Sequence, residues 1–510
     1  MQTVHPVHEQ VKSELVQQFS TMIDGLFELT DADASPRALE EATWKAMILG
    51  GAGTLGVLLA SRARRITEQD VAQRGLPDNR VHRRLDRDYW GTVTTTFGPV
   101  SFPWFAYREM RRNGASVTRN PAQAALFPAF STCRSSLLCL QWETRLGSDH
   151  PFRAAQEALT FFTHGAVTLE DTTIARHLVR VGQLVTRDDM YKTPEQIRAI
   201  LRERATRDRE TGRPLLYCSS DAHALRRFVD DTWAAKWKMT NGIRFWCEDK
   251  DTGQIIHLGG EFTWGDCHEV RVIFQDLIAR GILPPDGNYG DGVRAQLVWL
   301  SDGMPWFKDH ILPLFQDVVV ILDVYHLLHA FAAFIALCFK PKSKPARRWL
   351  DRAAELTVGP RPRAKKAKSR RGHHKGTANI TAHAHERHVD PNTDPVKHAL
   401  DLVMMLFEVP TPTKKAQAAQ ARLFGFLFDN PDRINYVAFR ARGYQIGSGA
   451  MESMHRTGSQ LRLKLPGAKW LEHTSQSIFN IRMMRLAGNS DHFWSQPDLE
   501  ARFAAVELPN

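Results

Sequence analysis

Three acidic residues are spaced so that folding could bring them together as a site for phosphodiester chemistry. Asp221 closes the apolar run RPLLYCSSD, Asp302 follows AQLVWLS, and Glu452 lies within GYQIGSGAMESMHR. Three carboxylates can hold two divalent cations about 3.5–4 Å apart, which activate an attacking oxygen and stabilise a leaving one. Carboxylate oxygen suits Mg²⁺, and Mn²⁺ accepts the same ligands. Asp221, Asp302 and Glu452 are therefore the candidate catalytic and metal-binding residues.

Each of these carboxylates also has an ordinary structural explanation. An aspartate at the end of a strand often starts a turn, and Asp302-Gly303 is a typical turn pair. A glutamate in the first turn of a helix is favoured by the helix dipole, which could account for Glu452. Only the combination of all three favours catalysis.

The elements that would position these residues follow one another in residues 213–339. Strands are predicted at RPLLYCSSD, twice within 241–264 around a turn at 251–253, at AQLVWLSDG and at VVVILD. Helices are predicted at 266–281, at MPWFKDHILPLF and at VYHLLHAFAAFIALCF. The order β-β-β-α-β-α-β-α is that of an α/β ribonuclease-H-like core, a mixed sheet flanked by helices. In that fold the first and fourth strands are parallel neighbours, so Asp221 and Asp302 would meet at one edge.

The N-terminal part of the chain is predicted to be mainly helical. Residues 6–28 and 36–65 have helical spacing, and 91–110 alternates as a β-hairpin around Gly98-Pro99. Residues 152–184 predict two helices separated near Gly165, with Ile174, His177 and Arg180 on the second. This pattern fits a helix-turn-helix that binds DNA, and it fits an ordinary αα-hairpin equally well.

These patterns divide the chain into six regions. They are a helical N-terminal region (1–90), a β-hairpin with a helix-turn-helix-like DNA-binding region and linker (91–212), the first part of the core (213–339), a basic and helical insertion (340–440), the last core helices (441–490) and a tail (491–510).

The positive charge of the chain is concentrated in one segment. The formal net charge is +11 over 510 residues, which favours a polyanionic partner, either nucleic acid or an anionic membrane. Residues 340–375 hold fourteen Lys or Arg against two acidic residues, a net +12, so the remainder is close to neutral. The segment is predicted to contact the DNA backbone through its densest part and otherwise to be a solvated loop. The residues in question are Lys365, Lys366, Lys368, Arg370 and Arg371.

Other classes of protein are disfavoured. The N-terminus is polar and mixed in charge, unlike a secretory signal, and the longest apolar runs (48–60 and 327–339) are too short to cross a bilayer. None of the six cysteines forms a CxxC pair, and Asp266-Cys267-His268 lacks further ligands at metal-site spacing. We therefore expect a cytoplasmic protein without a membrane partner, a zinc site or a disulfide framework.

Four stretches resemble a known family. YCSSDAH (217–223), WLSDGMPWFKDH (299–310), ILDVYHLLHAF (321–331) and GYQIGSGAMESMHRTGSQLRLKLPGAKW (443–470) resemble the DDE transposases of bacterial insertion sequences, in particular the Kra-type group related to the Mutator-like superfamily. The resemblance covers roughly residues 213–485, and its most specific part is the last stretch.

The resemblance implies a role for each matching residue. Asp221, Asp302 and Glu452 match the three catalytic carboxylates. Asp323 and His326 match a motif that supports the site or positions DNA, and His326 fits a buried structural histidine equally well. Arg456 would meet a phosphate or pair with Glu452. One position departs from the family pattern, because Ala222 follows the first aspartate where the family usually has glycine.

The resemblance further implies a Mg²⁺-dependent transposase that cleaves transposon ends and joins the freed 3′-hydroxyl to target DNA. Its partner would be double-stranded DNA rather than a small molecule. It would work as a homo-oligomer on paired ends and associate with the bacterial nucleoid. A ribonuclease-H-like nuclease without strand transfer, and a catalytically impaired DNA-binding protein derived from a transposase, remain the alternatives.

Overall fold

The computed structural model describes residues 6–32, 34–75, 81–84, 89–111, 114–229, 234–303, 306–359 and 394–507. The chain divides into two compact units. The first comprises residues 1–190, 226–236 and 458–510, and the second comprises 191–225 and 237–457. The five lysines and arginines predicted to contact the DNA backbone lie outside the described residues.

The first part of the chain alternates helices with short strands. Its elements are α1 (Pro6–Asp31), α2 (Pro36–Gln73), β1 (Val81–Arg84), β2 (Trp90–Thr95), β3 (Gly98–Pro103), β4 (Tyr107–Met110), β5 (Ser116–Arg119), α3 (Pro121–Leu126), α4 (Leu137–Asp149), α5 (Phe152–Phe162), α6 (Asp171–Leu184) and α7 (Arg187–Met190).

The middle part contains the longest strands among the described residues. Its elements are α8 (Pro194–Glu203), β6 (Leu215–Val229), β7 (Ala234–Glu248), β8 (Ile255–Thr263), α9 (Cys267–Ala279), β9 (Gln296–Ser301), β10 (Val318–Leu322), α10 (Val324–Cys338) and α11 (Lys344–Val358).

The last part is helical in the residues described. Its helices are α12 (Pro395–Phe407), α13 (Lys414–Asp429), α14 (Tyr436–Ala441), α15 (Gly449–Met454), α16 (Leu461–Leu463), α17 (Glu472–Leu486), α18 (Ser490–Trp494) and α19 (Leu499–Ala505).

The first unit confirms the predicted helices and hairpin, with changed limits. The side chain of Ser35 caps the start of α2, and α2 runs to Gln73, beyond the predicted end at residue 65. The hairpin comprises β2 and β3, which pair antiparallel from Trp90↔Pro103 to Thr95↔Gly98. Its turn requires glycine at position 98, where φ is 93°.

Helix α2 alters the expectation about membranes. By length and composition this helix could cross a bilayer, and little of its most apolar part is buried. The uninterrupted apolar run 48–60 is too short for that, but α2 extends beyond it at both ends. One such helix is weak evidence for a span, and α2 packs against α1, β3 and α3.

The second unit contains a five-stranded mixed sheet in the order β10-β9-β6-β7-β8. Strand β9 pairs parallel with both β6 and β10, and β7 pairs antiparallel with β8. All six residues of β9 are buried, as expected of a parallel strand covered on both faces. The predicted strand order and the parallel pairing of the first and fourth strands are therefore confirmed.

Alternate residues of the central strands face two different layers. Tyr217, Leu300 and Ile321 belong to a core built with α10 to α14. On the other face Trp299 packs against Phe274 of α9, with ring centroids 5.2 Å apart. Helices thus cover both faces of the sheet.

Two predicted elements of this unit were wrong in extent. The first core strand does not end at Asp221 but continues to Val229, because β6 pairs with the equally long β7 after its parallel partner β9 has stopped at Ser301. The predicted helix after Asp302 is only a π turn (Phe307–Ile311) followed by a 3₁₀ turn (Leu312–Leu314), since Pro313 cannot continue the helical hydrogen bonding.

Candidate functional site

The parallel register of β6, β9 and β10 determines which residues meet at the candidate site. Ser219 of β6 lies opposite Leu300 of β9, and Ser301 lies opposite Leu322 of β10. Continued by one or two residues, this register sets Asp221, Asp302 and Asp323 at the same level. Neighbouring strands are about 4.8 Å apart, so the three aspartates form a row across the end of β9. Because these residues continue the alternation of Tyr217, Leu300 and Ile321, all three lie on the α10 side of the sheet.

Asp323 is fully engaged by hydrogen bonds. Its Oδ1 accepts the backbone N–H of Tyr325 at 2.6 Å, which caps the start of α10. Its Oδ2 accepts both the backbone N–H (2.9 Å) and the hydroxyl of Ser448. Burial opposes ionisation of this carboxyl group, but the hydrogen bonds from His326, Ser448 and Tyr325 outweigh burial and lower its pKa. With its oxygens occupied in this way, Asp323 acts as an anchor.

The segment that carries Glu452 is attached to the start of α10. The N–H of Val324 donates to the carbonyl of Ile446 at 3.0 Å, and Ser448 binds Asp323. Gly447 is needed for this approach, because a Cβ there would lie 2.8 Å from the ring of Tyr325, whereas a Cβ at Gly449 would meet nothing within 4 Å. Of the two glycines that flank Ser448, only Gly447 is therefore required for this turn.

Glu452 is exposed on α15. Its charge acts on Tyr325, which is next to Asp323, and on His455, which is next to Asp221. Burial raises the pKa of Tyr325, and the charges of Asp323 and Glu452 raise it further. The charge of Glu452 also acts on His455. Among the described residues, however, Asp221, Asp302 and Glu452 do not form a set whose ligand atoms all lie within 4.8 Å of one another. The fold brings them to one region without closing them into a compact cluster.

Asp221 is only partly exposed, unlike Glu452. Its Oδ1 accepts the N–H of Ala222 at 2.7 Å. Burial raises the pKa of Asp221, and the charge of Asp323 raises it as well, while the N–H of Ala222 and the charge of His326 act in the opposite direction. A carboxyl group in this state gains from a nearby cation.

His326 interacts with the whole row of aspartates. Its Nδ1 lies 3.6 Å from Asp323 Oδ2, and its side chain is half-exposed. The hydrogen bond to Asp323 raises the pKa of His326 against the opposing effect of burial, and the charges of Asp302 and Asp221 contribute in the same direction. The half-exposed ring does not fit the alternative of a buried core histidine.

Sequence reasoning missed His455. This side chain is 4% exposed, and its Nδ1 lies 3.7 Å from Asp221 Oδ2. Its ring packs on His223 with centroids 4.5 Å apart, and burial lowers its pKa to about 4. The available signal was its position three residues after Glu452, a spacing at which helical side chains are neighbours.

Arg456 does not form the ion pair with Glu452 that was one of its two predicted contacts. Both side chains are described, and both are exposed. A contact between Arg456 and a phosphate remains a prediction.

The proposed recognition helix of the first unit is packed inward. Ile174 and His177 of α6 are buried, and His177 Nδ1 lies 2.6 Å from Glu143 of α4. Burial alone would lower the pKa of His177, but its hydrogen bonds to Cys133 and Glu143 outweigh burial and raise it to about 9. Arg180 donates to the carbonyl of Thr132. The three side chains named on the second helix therefore contact the protein, which favours the αα-hairpin.

Comparison with known proteins gives little beyond this geometry. No protein-family model matches the chain, and no curated protein matches it. Among solved structures, the chain is similar to the Drosophila P element transposase strand transfer complex, at 12% identity and a TM-score of 0.29. That alignment covers 72% of this chain and 93% of the other. A likeness at this level does not establish a shared fold.

Proposed function

We propose that this protein is a DNA transposase with a ribonuclease-H-like catalytic core. The observation that carries the proposal is the row of aspartates across β6, β9 and β10, together with the attachment of the Glu452 segment to that row through Ser448. The sheet order β10-β9-β6-β7-β8 supports the fold, because a meander of three strands joined to two parallel strands is the arrangement that the sequence pattern predicted.

The donor set fits a hard divalent cation. Asp221, Asp302 and Glu452 offer carboxylate oxygens, and burial raises the pKa of Asp221, an effect that a nearby cation would counteract. We propose that these three residues hold Mg²⁺, with Mn²⁺ as a substitute. When bound, such ions activate the attacking oxygen and stabilise the leaving oxygen of a phosphodiester.

The neighbouring residues would then have distinct tasks. Asp323 and Ser448 fix the segment that carries Glu452, so they position that carboxylate without needing to touch substrate. His326 is half-exposed beside the aspartates, and we propose that its imidazole contacts a DNA phosphate. In a transposase the site would cleave at the element's end, and the freed 3′-hydroxyl would then attack target DNA.

The partner we propose is double-stranded DNA, with self-association of the protein on paired ends. The net +12 of residues 340–375 supplies the sequence-independent attraction that phosphate backbones require. We further propose that the protein acts in the bacterial cytoplasm, associated with the nucleoid.

The substitution Asp302→Asn tests the catalytic assignment. It keeps the size of the side chain but removes its charge, so we expect loss of both cleavage and strand transfer while binding to DNA ends is retained. Cleavage is followed on labelled DNA ends with Mg²⁺, and binding is followed by gel shift. Asp251→Asn, in the exposed β7–β8 turn, is the matched control and should leave both activities intact. Normal cleavage by Asp302→Asn would refute the assignment.

Two further assays separate the proposal from its alternatives. Pre-nicked ends supplied with target DNA should yield a joined product, which a ribonuclease-H-like nuclease would not form. A DNA-binding protein derived from a transposase would bind ends without cutting them. Inverted repeats bounded by a short duplication on either side of the gene would favour the transposase.

A further inference from the structure

A second group of ligand side chains lies on the other face of the sheet, apart from the carboxylates. Cys267 and His268 are the first two residues of α9, and His310 belongs to the π turn that follows Asp302. The thiol sulfur and one nitrogen from each imidazole all lie within 4.8 Å of one another. The two imidazole rings are 4.9 Å apart at an interplanar angle of 66°. The sequence had indicated that Cys267-His268 lacked a partner, and folding supplies one from a separate segment.

The two elements that carry these ligands are held by one shared aromatic core. Phe274 of α9 and Phe307 of the π turn both pack on Trp299, at centroid distances of 5.2 and 4.6 Å. Asp266 caps α9 by accepting the N–H groups of His268 (2.9 Å) and Glu269 (3.2 Å). Packing on Trp299 and the cap by Asp266 therefore hold the backbones on both sides of the cluster.

We propose that Cys267, His268 and His310 bind one Zn²⁺ ion, or another transition metal of similar preference. A thiolate with two imidazoles selects zinc or copper and not Mg²⁺. Zinc ligands at 2.0–2.3 Å in a tetrahedron lie about 3.3–3.8 Å from each other, so ligand atoms that lie within 4.8 Å of one another need to approach by at most about 1.5 Å. Three protein ligands leave the fourth position to water or a substrate atom.

This proposal does not rest on the proposed transposase activity. Zinc would tie α9 to the turn after Asp302 and so limit the movement of the segment that follows that aspartate. Stabilisation by zinc would therefore be seen in the folded chain whether or not it cuts DNA.

Metal titration of the full chain tests the site. The chain is stripped with a chelator, kept in excess Mg²⁺ to fill the carboxylates, and titrated with Zn²⁺ by calorimetry and with Co²⁺ by absorption. We expect one equivalent of each, with a thiolate-to-cobalt charge-transfer band. Cys267→Ser and His310→Gln should weaken binding by about 100-fold, at least as much as loss of a supporting outer-shell group.

Matched controls use a cysteine and a histidine outside the cluster. Cys338→Ser and His329→Gln, both on α10, should bind zinc like the unaltered chain. His310→Cys keeps a ligand at that position and should retain zinc while strengthening the charge-transfer band, which a misfolded variant could not do. Absence of stoichiometric binding in the unaltered chain would overturn the proposal, as would undiminished binding in both Cys267→Ser and His310→Gln.

Discussion

At the scale of single residues, the contact between Asp323 and Ser448 connects the sheet with the Glu452 segment. Ser448 supplies both its N–H and its hydroxyl to one carboxylate oxygen. Asp323 is 2% exposed, so these bonds are shielded from water and their geometry is tightly held. The contact gives Asp323 a structural role, distinct from the metal-binding role that we propose for Asp221, Asp302 and Glu452.

We predict that Ser448→Ala slows strand transfer without weakening DNA binding. The variant keeps the backbone N–H bond and loses the hydroxyl bond, which in a charged pair contributes about 1.5–3 kcal/mol. Without the hydroxyl bond Glu452 would be held less accurately, and part of the lost free energy would raise the activation barrier. We therefore expect the rate constant for strand transfer to fall about 10-fold. Single-turnover strand transfer and end-binding titrations measure the two quantities.

Ser453→Ala is the control, because Ser453 is an exposed residue of the same helix. A fall in DNA affinity with an unchanged rate constant for Ser448→Ala would show that Ser448 serves DNA binding and does not position Glu452.

At the scale of elements, close packing of helices organises the first unit. Helices α6 and α17 meet at Gly182, where an added Cβ would lie 2.3 Å from Ser477 Cβ and 2.5 Å from its Cα. Ser477 donates its hydroxyl to the carbonyl of Val179 (3.2 Å), and Asn480 donates to the carbonyl of Gly182 (3.0 Å). Absence of a side chain at residue 182 is what allows these interhelical hydrogen bonds.

We predict that Gly182→Ala destabilises the first unit. The methyl group would meet the backbone of α17, which cannot rotate away, so we expect the free energy of unfolding to fall by about 1–3 kcal/mol. Urea titration followed by circular dichroism measures the change.

Gly425→Ala is the control, and we expect it to raise the free energy of unfolding where Gly182→Ala lowers it. Gly425 is exposed in α13, and a methyl group added there would have no neighbour within 4 Å, so alanine should stabilise that helix by about 0.5–1 kcal/mol. Equal effects of the two substitutions would show that helix propensity, and not the contact with α17, determines the outcome at Gly182.

At the scale of the whole molecule, charge is distributed very unevenly. Residues 340–375 carry a net +12 against +11 for the chain, so attraction to a polyanion is concentrated in that segment. Attraction of this kind weakens with salt in proportion to the number of phosphates contacted.

We predict that neutralising the five basic residues flattens the salt dependence of DNA binding. With Lys365, Lys366, Lys368, Arg370 and Arg371 replaced by Gln, the slope of log K against log salt should decrease by about 0.9 for each phosphate that the variant no longer neutralises. Fluorescence anisotropy at a series of salt concentrations measures the slope.

The matched control replaces Lys414, Lys415 and Arg422, three exposed basic residues of α13. If both replacements change the slope equally per charge, net charge alone governs binding and the segment makes no specific contacts with the backbone.

The sequence by itself determined the local elements and their order. Buried apolar runs fixed β9 and β10, alternation fixed the β2–β3 hairpin, and helical spacing predicted α1, α2, α5 and α6. These features depend on neighbours within a few residues, which a linear pattern records. The positions of Asp221 and Asp302 on adjoining parallel strands followed from the order of those elements.

Only the tertiary structure decided which distant groups meet and where elements end. Strand β6 passes Asp221 because β7 pairs with it, and α6 turns Ile174 and His177 inward because α4 and α17 cover it. His455 is far from Asp221 in the chain, yet its Nδ1 lies 3.7 Å from that carboxylate. His310 likewise joins Cys267 and His268 only because Trp299 holds both their elements. Such contacts arise from packing between segments far apart in the chain, and local residue patterns carry no record of them.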